Sequence, residues 1–559
     1  MGLAATAVAD GTETENGALT DADDATYLQG AMEELRSRIS AVPGSGTVRG
    51  VWSFNNKKYA FRDNAGGTAC VMWESSSNGW VEIELGSTVE FTAGLDAGDN
   101  GFTVGEKVVD GSGSAIVVGF VKTSGDWVAG TAAGTLYIKS IIGVFAAGTV
   151  TGLTSGVVST GAVAVETTLL PGGRYEFINE NFYGHSALKA MFGCDGINKG
   201  FMFSANGFQQ ITTGMTIDAP IHVTEHKKHL FFAFSGGSVQ HSSIGVPTEW
   251  SVITGAGEIA TGDEITGFAT LPGDSLGIFN RNRLYILYGS SAAGWNLVEH
   301  SDESGAIEWS VQRIGYPIYV DDRGLMDFKA VQEYGDFNNA SFSQKIKKTM
   351  DAGKNLIVSS IRVRAKNQYR LFFNNKSFVI CSFEDRKLSG FTVCSFPVIV
   401  ECAASVEDSD GNEILLFGAD NGFVYQMDKG NNFDGAAVDA FVRIAFNSLG
   451  SAERNKKYFK AVFEVDSPTS ASISFTPDFD YGEKEDITKA LSVIAAGGVW
   501  DVSVWDEFVW GDQLISNPEA YIDGSGQNIG ITLFSSHTYE APHTLNSVIL
   551  HYSTRGVKR

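Results

Sequence analysis

Two clusters of basic side chains are the first candidates for chemistry in this sequence: Lys345, Lys347 and Lys348 in SQKIKKTM, and Arg454, Lys456, Lys457 and Lys460 in AERNKKYFK. The chain carries 65 acidic and 41 basic residues for a net charge of −24, so such islands stand against an acidic background. They are candidate subunit contacts, able to meet an acidic neighbouring subunit. Lysines that blunt an edge strand would look the same. His226 and His229 in HKKH form the one histidine cluster. On a continuous strand this spacing sends the two rings to opposite faces, which defeats joint metal ligation. Asp408 and Asp410 beside Gly411 in VEDSDGNEI have the look of a calcium-loop fragment, but such loops need five or six spaced ligands ending in Glu. A hairpin turn is the expectation there, and equally for DKGNNFDG, Asp428 to Gly435.

SDESGAIEWS, Ser301 to Ser310, nearly matches the Asp-box turn of sialidases. Glu303 stands where Asp is wanted and one extra residue precedes Trp309, and Asp-boxes are structural turns in any case. No GxSxG, HExxH, Walker A or dinucleotide fingerprint occurs. No catalytic, cofactor-binding or metal-ligating residue is therefore assigned, and an enzyme is not expected. Cys70, Cys194, Cys381, Cys394 and Cys402 are odd in number and lack CxxC spacing, so reduced, buried thiols are expected rather than disulfides or zinc. Trp500, Trp505, Phe508 and Trp510 could stack on a carbohydrate, but a packed core or subunit interface is the better expectation.

The elements that must position these residues are aromatic hairpins. YAFRDNAGG, FMFSANGFQQI, HLFFAFSGGSVQ, LGIFNRNRLYILY, YRLFFNNKSFVI and LLFGADNGFVYQM each run an alternating strand into a short Asn/Asp/Gly/Lys turn and out again. Phe232, Phe279, Phe328, Phe372 and Phe417 recur every 44 to 49 residues, the length of a four-stranded propeller blade. Sixty-five glycines against eleven prolines also favour a turn-rich β-protein.

The fold expected is all-β: a β-propeller with an inserted small β-barrel domain and a C-terminal β-sandwich, plus a short N-terminal helix. Residues 1–44 read as a flexible acidic arm followed by a helix over DADDATYLQGAMEELRSRIS, with Tyr27, Leu28, Ala31, Leu35 and Ile39 on one face. Residues 45–87 open the propeller. From 88 to 168 the composition turns Gly/Ala/Thr/Val-rich with two self-similar halves, which reads as a domain inserted at a loop tip. The propeller resumes over 169–432, and 433–559 reads as longer strands of a sandwich or jelly-roll.

The acidic balance disfavours adhesion to nucleic acid or anionic membrane, yet suits a wall past which DNA slides. The N-terminus carries acid where a signal peptide needs base, and no run approaches 18 apolar residues, so neither a leader nor a membrane span is expected.

The ordered segments VRGVWSFNNKKYAFRDN, HKKHLFFAFSGGSVQHS, DDRGLMDFKAVQEYGDFNNASFSQKI, NQYRLFFNNKSFVI, GADNGFVYQMDKGNNFDG and WDVSVWDEFVW resemble tail nozzle or hub proteins of short-tailed double-stranded-DNA bacteriophages, also called tail tubular or DNA-stabilisation proteins. The likeness covers about residues 45–85 and 175–559. It implies a virion subunit, assembled in the bacterial cytoplasm, of which a homohexameric ring continues and closes the DNA channel. Its implied partners are tail adaptor and portal-proximal proteins, tail fibres or spikes, and passing DNA bound without sequence specificity. The insertion departs from the simplest form of the family, and no channel or gate residue carries over. The competing expectations are a carbohydrate-binding adhesin or lectin, which should show a secretion signal and repeated ligand motifs, and a glycoside hydrolase, which should show converging carboxylates or arginines.

Overall fold

The computed structural model describes residues 40–557 apart from 78, 112, 183, 185–188, 329–340, 385–386, 430–431, 467–470, 483–488, 494–517 and 538–543. The expected N-terminal helix and the run from Trp500 to Trp510 lie outside the described residues. Within them, strands dominate, and Lys347–Gly353 forms a short α-helix.

The aromatic hairpins become meanders. Apart from the 87–166 segment, the described residues of 45–427 form seven separate antiparallel sheets of three or four strands, each in sequence order. Strands such as His229–Phe234 and Gln368–Phe373 are buried at every position. Both of their faces pack on neighbouring sheets, so burial does not alternate along them as the sequence pattern led one to expect. The first strands of these sheets are Ser45–Phe54, Glu176–Glu180, His222–His226, Ile265–Leu271, Gln312–Ile314, Ile357–Val363 and Val400–Glu407. They lie side by side in that order, and Val400–Glu407 also packs on Ser45–Phe54. Gly50 permits one of these approaches, because a Cβ there would stand 2.5 Å from that of Tyr175.

The 87–166 segment closes on itself. Val158–Gly161 pairs with both Gly148–Gly152 and Ser87–Leu95, which joins the ends of a six-stranded barrel completed by Lys107–Asp110, Gly113–Ser124 and Ala132–Ile142. Phe91 stacks on Trp127 at 5.3 Å inside it, among Val89, Phe102, Leu136 and Val150. Small residues serve this interior: a Cβ at Gly94 would meet the Trp127 ring at 2.5 Å.

After residue 437 come two more open sheets. One orders Val438–Asn447, Ile529–His537, Ala471–Phe479 and Lys489–Val493; the other places Arg454–Asp466 between Glu519–Gly526 and Thr544–Val557. Tyr458, Phe463, Phe475 and Ile531 belong to one buried cluster there.

This topology corrects the expected fold. Among the described residues the hydrogen-bonded sheets are open and separate, the closed sheet is the six-stranded barrel, and no strand pairing closes the others into the expected β-propeller or β-sandwich. The physical reason lies in the range of the signal. A hairpin repeat dictates short-range antiparallel pairing and turn chemistry, whereas sheet closure depends on which edges meet, and that is not written in local periodicity.

Candidate binding cavity

The first strands of the small sheets surround a cavity of about 800 Å³, to which Trp52, Glu176, Asn179, His222, Gln312, Ser360 and Ala403 contribute. A second chamber of about 340 Å³ is lined by Arg174, Arg281, Glu308, Trp309, Lys354, Asn355 and Glu401. Arg174 and Trp309 line both, so these two side chains form the shared wall. Both volumes fall in the range of small-molecule sites.

Trp309 is set by a turn that holds an uncommon backbone. Its φ of 64° is left-handed, a region costly for a bulky residue. The surroundings over-determine it: Ser360 Oγ donates to the Trp309 carbonyl at 2.6 Å, Ser310 Oγ donates to Ile307 O at 2.5 Å, and Tyr369 Oη donates to Ser310 O at 2.8 Å. Such strain persists only where the fold enforces it, and it gathers at functional sites.

Arg174 lies over this ring, its Cζ 3.8 Å from the centroid. Its Nη2 donates to Ser359 Oγ at 3.0 Å, while Nε and Nη1 are buried with no protein partner. Burial pushes the guanidinium down to about 10, against the opposing pull of Glu176, Glu308 and Glu401, so it stays charged at neutral pH. His222 Nδ1 sits 2.8 Å from Glu176 Oε2, and its ring centroid is 4.9 Å from that of Trp309. The buried Nε2 of His222 has no protein partner.

Glu308 is accessible from the smaller chamber yet enclosed enough that burial pushes its carboxyl up, opposed by His222 and Arg174 and reinforced by Glu264 and Glu176. Burial likewise raises Glu401, with Asp420 adding to it and Arg49 and Arg174 opposing. The arrangement can hold a small polar molecule, and carboxyls raised in this way can also donate a proton.

No family model matches this chain. No curated protein matches it either. Among solved structures, it is similar to the computationally designed Ika8 protein, with 9% identity, a TM-score of 0.33 and coverage of 69% of this chain and 98% of that one. It is also similar to a chain of the Mitotic Checkpoint Complex, with 12% identity, a TM-score of 0.30 and coverage of 60% and 92%. Likenesses this loose carry no argument about function.

The residues singled out by sequence are not brought together here. Lys345, Lys347 and Lys348 are exposed on the turn and helix spanning Gln344–Gly353. Lys456 is fully buried, its Nζ donating to the carbonyls of Ser451, Arg454 and Gln527 at 2.6, 3.2 and 2.8 Å. Lys457 pairs with Asp523 at 2.5 Å and Lys460 with Glu519 at 2.7 Å, both across the sheet, while Arg454 is exposed. The second basic island is thus spent largely within its own chain.

HKKH departs from expectation in its geometry. Lys227 and Lys228 take φ of 52° and 63°, a two-residue hairpin turn, so His226 and His229 face each other as a cross-strand pair rather than pointing to opposite faces. His229 and His241 both place Nδ1 on Ser242 O, and Trp295 Nε1 donates to His241 Nε2 at 3.1 Å. Among the described residues no group of three or more His, Cys, Asp or Glu is placed to hold a metal ion. Asp408 accepts from the backbone of Asp410 and Asn412 as a turn residue, and Asp428 forms a bidentate pair with buried Arg370 at 2.8 and 2.6 Å. The five cysteines are free and buried.

Arg174, His222, Glu308 and Glu401 were not legible as a site, since they are far apart in the sequence, two in strands of different sheets and two in segments outside any strand. One weak signal existed, the near-Asp-box ending in Trp309.

Proposed function

We propose that this chain is a structural virion subunit in the tail of a short-tailed bacteriophage, assembling with copies of itself as a ring around the DNA path. The observation that carries this reading is the ordered set of segments from VRGVWSFNNKKYAFRDN to WDVSVWDEFVW that resembles tail nozzle proteins. The cavity supports one refinement. Arg174 and Trp309 block it into chambers of about 800 and 340 Å³, too small for a duplex, so DNA would pass between copies of the chain rather than through one. In this reading Asp and Glu from the surplus of acidic residues face the lumen, and the exposed Lys345, Lys347 and Lys348 remain for contacts with acidic neighbours. Adaptor proteins and fibres or spikes would dock on the outer surface.

A second reading, a carbohydrate-binding or glycoside-hydrolysing subunit, draws on the meeting of Glu176, Glu308 and Glu401 around Arg174, the convergence that reading requires. Deleting the coding region from the producing phage separates the two. Particles that fail to retain DNA or lack tail ends are expected for the ring; complete, DNA-filled particles that merely lose host adsorption or glycan cleavage would favour the second reading.

A further inference from the structure

The smaller chamber gathers cations in a strongly acidic chain. Arg174, Arg281 and Lys354 all line it. Each has hydrogen-bonding capacity to spare. Arg174 leaves Nε and Nη1 unpartnered. Arg281 directs Nη1 and Nη2 to Asp322 at 3.3 and 2.9 Å, and Lys354 gives one Nζ proton to the Asp322 carbonyl at 2.9 Å. A guanidinium carries five donors and an ammonium three, so donors remain on both. The acidic side chains in the lining are Glu308 and Glu401, and burial raises both, which makes them the carboxylates here that give up charge most readily. A buried, incompletely bonded cation is costly unless something compensates it.

We propose that this chamber binds a small oxyanion, a phosphate or carboxylate group, held by Arg174 at its inner wall and by Arg281 and Lys354 at its rim. A neutral sugar fits less well. Sugars seek an open aromatic face, whereas the Trp309 ring has Arg174 on its face and His222 tilted at 58° beside it. A volume of about 340 Å³ matches a single small molecule rather than a polymer. The inference is independent of the tail-ring reading.

Titration calorimetry on the full chain tests it, with inorganic phosphate, glucuronate and, as the neutral control, glucose. Saturable binding of phosphate or glucuronate but not glucose is expected. Phosphate alone would assign a phosphate group, and glucuronate alone a carboxylate. The rim variants Lys354→Gln and Arg281→Gln, whose side chains hydrogen-bond to Asp322, should each weaken the binding roughly five- to tenfold, the loss of one charge-assisted hydrogen bond. Arg174→Gln should abolish it, and if that variant does not fold, the rim variants decide. The proposal is overturned by absence of saturable binding of either anion, by glucose binding as tightly as glucuronate, or by unchanged affinity in both rim variants.

Discussion

Arg174 sits 3.8 Å above the indole of Trp309, and this cation–π pair is the wall between two chambers. The pair is held from the Trp309 side, by a left-handed backbone that three hydroxyl donors pin in place. Removing the ring while keeping the backbone strained should therefore be worse than removing both. Trp309→Ala is expected to destabilise by about 2 kcal/mol through the lost, desolvated stack. Trp309→Gly should retain about 1 kcal/mol more than the alanine variant, since glycine adopts this φ freely. Equal urea midpoints for the two variants would show that the backbone there is not strained.

Lys456 and Lys457 are neighbours in sequence and opposites in role. Lys456 →Met strips three carbonyls of their buried donor and should cost about 2–4 kcal/mol. Lys457→Met removes a pair whose partner Asp523 is 93% exposed, and should change stability by about 0.5 kcal/mol or less. Chemical denaturation of the two variants checks this, and a similar loss in both would contradict the assignment.

The barrel carries its own acid-sensitive lock. Glu106 accepts from the backbone of Thr103, Thr154 and Ser155 and from Ser155 Oγ, at 2.7 to 2.9 Å. Burial pushes this carboxyl up, but the hydrogen bonds outweigh it and hold the group below its ordinary 4.5. A depressed carboxylate contributes stability that is present above the unfolded value and lost as pH falls through the folded one. Glu106→Gln should thus cost about 2 kcal/mol at neutral pH and flatten the acid limb below about pH 4.5. Hydrogen exchange of the barrel amides reads the effect locally; an unchanged acid limb in the variant would count against it.

Histidines work in a higher window. Burial lowers His226, His241 and His300 from 6.5, so the unfolded chain takes up protons first and stability drops as pH falls below that value. The raised Glu308 and Glu401 act in the opposite sense, losing stability as pH rises past 4.5, so a single variant is needed to isolate the histidine effect. His300 stacks on Phe328 at 4.8 Å with Nε2 unpartnered. Between about pH 7.5 and pH 5.5 the melting temperature of His300→Phe should fall less than that of the parent chain. Parallel falls would place the proton uptake elsewhere.

Local pairing was legible in the sequence wherever turn chemistry fixed it. LLFGADNGFVYQM becomes two paired strands around Asn421 and Gly422, and the loss of phenylalanine hairpins after Ser87 marks the segment that closes as a barrel. Sheet closure elsewhere was not legible, because edge-to-edge neighbours are chosen by packing between distant segments. HKKH misled for a related reason: treated as one strand it separates the imidazoles, whereas a turn at Lys227 and Lys228 pairs them. Lys456 reads like its basic neighbours, and the carbonyls of Ser451, Arg454 and Gln527 around its Nζ set it apart. The candidate cavity depends on residues as distant as Arg174 and Glu401, each unremarkable in its own stretch.

The most direct test of the proposed role, a phage tail ring, is whether purified short-tailed phage particles contain this chain, where, and in how many copies. Electron cryo-microscopy should show it as a hexameric ring at the tail, with the DNA path running between copies and with Arg174 and Trp309 stacked inside each copy away from that path. Particles from which the chain is absent, or in which DNA threads the cavity of a single copy, would contradict the account.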